Sequence, residues 1–78
     1  MKTAGQLLQP ILNTSARLGL QDSPQTVPGW NSIAQINIIV AIEDLIGEEL
    51  STTEVLGLDS VQAIINICRT HGVEMSID

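Results

Sequence analysis

The chain has one aromatic residue, Trp30, and neither Tyr nor Phe. The residues that favour pleated sheets by packing on a half-buried surface are largely missing, so the pattern leans toward helices. A single cysteine, Cys68, excludes an intrachain disulfide and suits a reducing compartment. Positive charge is scarce: Lys and Arg total 3 against 9 Asp and Glu, for a net charge of −6. No Lys or Arg occurs between Arg17 and Arg69, a stretch holding Asp22, Glu43, Asp44, Glu48, Glu49, Glu54 and Asp59. Such a chain repels phosphate backbones, which argues against nucleic acid as a partner, and attracts basic protein surfaces. Long apolar runs are also absent. The longest, Ile38 to Ile42, is far too short to cross a bilayer, and the N-terminal Met1-Lys2-Thr3-Ala4-Gly5 lacks a secretory pattern. A cytoplasmic protein without membrane contact is expected.

What is present is aliphatic. Hydrophobic residues make up 44% of 78 positions, enough for one small core over residues 1–78 but not for a core and a deep substrate pocket together. Catalysis by the chain itself is therefore not expected.

Ala4, Leu7, Leu8, Ile11, Leu12 and Ser15 recur at helical spacing, and Thr3 with Gln6 can form a capping box. Pro10 lacks an N–H and clashes one turn back, so this helix should kink or begin late, with Gly19 as its stop. Leu20 to Trp30, rich in turn formers, reads as a long loop. A second helix runs from Ile33 to Ile46, capped by Asn31 or Ser32 and ended by Gly47. Ile38, Ile39, Ile42, Leu45 and Ile46 share one of its faces, while Ile33, Ile36 and Val40 form a second stripe roughly opposite. That stripe wants either burial by neighbouring helices or an external partner. A short piece opens at Ser51 or Thr52 and stops at Gly57. The last helix, capped by Asp59 or Ser60, carries Val61, Ile64, Ile65 and Cys68 on one face and closes at His71-Gly72. Three longer helices, one short helix and a long first loop make an all-α four-helix bundle.

Trp30-Asn31-Ser32-Ile33, at the mouth of the second helix, resembles the modification motif of the acyl carrier protein family, Asp-Ser-Leu with a frequent preceding Trp. The resemblance extends through the apolar, acid-ended helix to Glu43-Asp44 and takes in the short third helix and the start of the fourth. It implies the acyl-carrier-protein bundle. It also implies a 4′-phosphopantetheine arm on the Ser32 hydroxyl, installed from coenzyme A by a phosphopantetheinyl transferase. Cargo would ride as a thioester in fatty-acid, polyketide or nonribosomal peptide-type biosynthesis, with cargo-loading and cargo-processing enzymes as partners. Asn31, Ile33, Ile36 and Val40 would form the contact strip beside the arm, and Glu43, Asp44, Glu48 and Glu49 would guide basic partners to a monomeric carrier.

Asn31 stands where the family has Asp. It caps a helix as well but lacks the charge offered to a basic transferase, which implies slower modification. Gly57-Leu58-Asp59-Ser60-Val61 copies the motif with its Asp intact, yet only 18 residues follow Ser60, too few for the remaining helices. Ser32 is therefore the expected site. The alternative is an unmodified helical protein–protein interaction module in which Ser32 is only a cap. His71 has no second ligand at metal spacing and reads as a helix-end cation, so no metal site is expected. Cys68 reads as a core thiol, and Trp30 as a loop anchor near Ser32.

Overall fold

The computed structural model describes residues 3–15 and 17–77. Met1 and Lys2, on which the reading of the N-terminus partly rests, lie outside them, as does Ala16, which the sequence reading had included in the first helix. The described residues form four helices and no strand: α1 (Ala4–Leu12), α2 (Ser32–Ile46), α3 (Thr52–Leu56) and α4 (Val61–Thr70). No helix among them is long and apolar enough to cross a membrane.

The first helix bears out the Thr3–Gln6 capping box and corrects the expected late start and the stop at Gly19. It begins at Ala4, with Thr3 and Gln6 exchanging both bonds of the capping box, and runs through Pro10. Proline there removes one bond of the last turn, but its ring lies on the exposed side while Leu8 and Leu12 are buried opposite. Burial of those two leucines holds the turn that proline weakens. The helix then stops at Asn13, not Gly19. Asn13 adopts the left-handed conformation (φ 53°) that Asn tolerates, and Thr14 N–H returns to the Gln9 carbonyl. Ser15, counted by spacing with the apolar face, is outside the helix and exposed. The first loop accordingly starts at Asn13 rather than Leu20.

The other helices follow their signals. Gly47 closes α2 in the left-handed region (φ 77°), returning its N–H to the Glu43 carbonyl. Ser51 and Glu54 form a capping box at α3, and Ser60 caps α4. The core gathers Leu7, Leu8 and Leu12 of α1, Ala34, Ile38 and Ile42 of α2, and Val61, Ile64, Ile65 and Cys68 of α4. Trp30 and Leu58 join it from the connections, and Met75 from the segment after α4. With α1 packed against both α2 and α4, three helices enclose the core. None of α3 is buried, so it rides on the surface.

Candidate site at the mouth of helix α2

The first loop is braced before it reaches the site. The Asp22 carboxylate accepts from the Gly19 N–H (2.7 Å) and the Thr26 hydroxyl (2.9 Å). These bonds, the Gly19 N–H first, hold Asp22 below the usual carboxylate range. The loop carbonyls of Asp22 and Leu20 then accept from the Val61 and Gln62 N–H groups at 3.0 and 3.1 Å, fastening the loop over the start of α4.

Trp30 is buried at the end of this loop, and its indole N–H donates to Gln35 Oε1 at 2.6 Å. The Gln35 amide donates in turn to the Leu58 carbonyl at 3.0 Å. Gln35 is thus a strut joining the first loop, α2 and the α3–α4 connection. These parts enclose an open cleft of ≈ 570 Å³ whose lining includes Trp30, Asn31, Ser32, Ile36, Leu58 and Asp59. Asp59 is its one charged lining residue, and no cation faces it.

Asn31, and not Ser32, caps α2: Asn31 Oδ1 accepts from the Ala34 N–H at 2.9 Å. Ser32 is therefore the first helical residue, exposed, and its hydroxyl bonds no other described residue. The Ser32 and Ile33 N–H groups likewise have no acceptor among the described residues, as the geometry of a helix start dictates.

The competing serine is placed differently. Ser60 is half-buried, and its hydroxyl accepts from the Ala63 N–H at 3.1 Å. Because Val61 and Gln62 donate to the first loop, every N–H at the mouth of α4 has an acceptor. The mouth of α1 is closed too. Ala4 and Gly5 donate to the Ser76 and Ile77 carbonyls at 2.8 and 3.1 Å, and Gln6 donates to Thr3. Among the three longer helices, α2 alone presents free N–H groups and a free hydroxyl together.

Around this mouth, Ile33 (71% exposed), Ile36 (60%) and Val40 (51%) leave the second stripe open to solvent; neighbouring helices do not bury it. Leu56, at 78% exposure, adds apolar surface on α3 that the periodicity did not single out. The four acids expected on one docking face divide. Asp44 and Glu49 are exposed. Glu43 is half-buried and accepts from the Leu50 N–H at 3.0 Å, bracing the turn between α2 and α3. Glu48 bonds the His71 ring, which also meets Glu54. His71 therefore does more than end a helix, a role that needed the long-range fold to bring two acids to it. Cys68 is buried and burial raises its thiol pKa, as befits a core residue. Among the described residues no group of three or more His, Cys, Asp or Glu side chains is placed so that it could hold a metal ion.

Compared with known protein families, characterised proteins and solved structures, the chain finds no match.

Proposed function

We propose that the protein is an acyl carrier domain whose Ser32 hydroxyl is the attachment point of a 4′-phosphopantetheine arm. The observation that carries this reading is the contrast between helix mouths: Ser32 offers an exposed, uncommitted hydroxyl beside free N–H groups, whereas Ser60 is spent as a cap under a fastened loop. Free N–H groups and the positive end of a helix favour a phosphate ester placed there. The arm would supply a terminal thiol for thioester carriage and nothing that the chain itself must catalyse. Ser32 Oγ would attack the pantetheine-side phosphorus of coenzyme A, forming the phosphodiester as the pyrophosphate bond breaks and adenosine 3′,5′-bisphosphate leaves. No base of the chain bonds that hydroxyl among the described residues, so the proton must be taken by the modifying enzyme. The open cleft gives the proximal arm an apolar wall in Ile36 and hydrogen-bonding groups in Asn31 and Gln35.

The bundle would then be of the acyl-carrier type, and Ile33, Ile36 and Val40 would meet partner enzymes beside the arm. Asp44 and Glu49 remain free to steer basic partners, while Glu43 and Glu48 would contribute charge from fixed positions. Asn31 spends its carbonyl on the cap and brings no charge, which leaves Asp59 as the acid nearest at hand on the cleft.

The test is intact-mass measurement after incubation with coenzyme A and a broad-specificity phosphopantetheinyl transferase. Wild type and Ser60→Ala should each gain one phosphopantetheine, and Ser32→Ala none. Loss of the gain in Ser60→Ala alone would move the site. No gain in the wild type would leave the interaction-module reading, which the open apolar stripe favours.

A further inference from the structure

The search beyond the α2 mouth leads to the opposite end of the short helix. Helix α3 buries none of its five residues, so packing does little to keep it in place. It is held through its caps, through Leu58 beyond it, and through one polar cluster. The His71 ring, 15% exposed at the end of α4, bonds Glu48 through Nδ1 and Glu54 Oε2 through Nε2 at 2.6 Å. Glu48 comes from the α2–α3 connection and Glu54 from α3 itself. One side chain therefore ties three parts of the chain together.

The bonding pattern favours one protonation state. Ionised carboxylates only accept hydrogen bonds, and a neutral imidazole carries a single N–H. With carboxylates at both nitrogens, a neutral ring satisfies one partner and turns a lone pair toward the other. Only imidazolium serves both. Other charged groups do not change this count: Arg69, on the same helix, is exposed, Glu74 lies exposed in the tail, and Glu43 is committed to the Leu50 N–H. Among the described residues, the ion pairs to the ring are those with Glu48 and Glu54 alone.

We infer that His71 is a proton-operated latch: protonated, it clamps α3 to the end of α4, and deprotonated, it releases the segment from Glu48 to Leu56. The latch stands on this geometry whether or not Ser32 is modified. Its reach is toward the site, because α3 runs directly into Leu58 and Asp59, which wall the Ser32 cleft.

The pH window follows from the two partners. Bonds to Glu54 first, then Glu48, raise the His71 pKa above its ordinary value of about 6.5. A raised folded-state pKa contributes stability that is complete below the unfolded value and lost as pH climbs through the folded one. The Glu54 pKa is lowered, by the Ser51 N–H first and by His71 next. Its share is present above the ordinary carboxylate value and lost as pH falls through the lowered one. The latch is tightest in mild acid and opens as pH rises through the raised His71 value.

Residue-resolved amide exchange, expressed as protection factors, tests this without any ligand. The informative amides are Val55, Gly57 and Leu58, which donate to Ser51, Thr53 and Val55 within and just after α3. From about pH 5 to about pH 8, protection at these amides should fall roughly two- to fivefold, the range for exposed ion pairs. Ile64, in the core helix, should stay protected, which separates latch opening from loss of the fold. Titration of the His71 ring by NMR in the wild type should give a midpoint above about 6.5, and Glu54→Gln and Glu48→Gln should each lower it. Constant protection across the range, a ring midpoint at or below the ordinary value, or unchanged midpoints in both variants would overturn the latch.

Discussion

Gly29→Ala tests the packing that presents Ser32. A Cβ built on Gly29 would fall inside the Leu12 carbonyl oxygen, with the Leu12 carbonyl carbon only 3.1 Å away. Both partners are backbone, and neither is loose. Leu12 is buried at the end of α1, and the residue after Gly29 is the buried, hydrogen-bonded Trp30. No rotamer change relieves the overlap, so the loop and the last turn of α1 must separate. Overpacking costs roughly 1–3 kcal/mol, and a clash with main chain belongs at the upper end, about 3 kcal/mol. For a domain of this size each kcal/mol moves the melting temperature by roughly 4–8 °C, so a fall of roughly 12–24 °C is expected. The assay is thermal melting followed by helical circular dichroism. Gly19→Ala is the control, since its Cβ would meet only Asp22 Oδ2 at an ordinary 3.7 Å. It should melt level with wild type or up to about 8 °C above it, the entropic gain of replacing glycine being about 0.4–1 kcal/mol at most. If Gly29→Ala melted like Gly19→Ala, the close approach of loop to helix would be wrong, and with it the account of how Ser32 is presented.

Two further outcomes follow from the interior. Gln35→Met leaves the Trp30 indole N–H and the Leu58 carbonyl without their partner, at a cost of about 2 kcal/mol; the urea midpoint, read by the fluorescence of the single Trp, should drop, and an unchanged midpoint would deny the strut. Cys68, buried and with its thiol pKa raised by that burial, should react with a thiol-directed disulfide reagent only as fast as the protein opens. A labelling rate in native buffer equal to that of free cysteine would place the thiol at the surface.

The sequence announced the later helices well because their boundaries are local chemistry. Gly47 needs only its own left-handed geometry, Ser51 needs Glu54 three residues on, and Ser60 needs the Ala63 N–H. The late start expected of α1 from the missing N–H and clash of Pro10 did not occur. The burial of Leu8 and Leu12 on the far side of the same turn outweighed both, and Asn13 was overlooked as a left-handed stop. At the candidate site, position could be inferred but commitment could not. Whether Asn31 or Ser32 capped α2 decides whether the Ser32 hydroxyl is free, and both residues cap helices well. Closure of the α4 mouth depends on Asp22 and Leu20, some forty residues earlier in the chain, so no local motif could reveal that Ser60 sits under a lid of loop carbonyls. The same distance hid the divided duties of the acids. Glu43 and Glu48 look like Asp44 and Glu49 in sequence, and only the fold assigns Leu50 and His71 to them.

The bonds from Ala4 and Gly5 to the carbonyls of Ser76 and Ile77 bear on the order of assembly during synthesis. Helix α1 has its opening turn completed by residues some seventy positions later in the chain. Until they emerge, its leading amides must stay in water, and Met75 has yet to close over the interior. The mouth of α1 is therefore sealed only once residues 76 and 77 have been made, after the three helices that follow it in the chain.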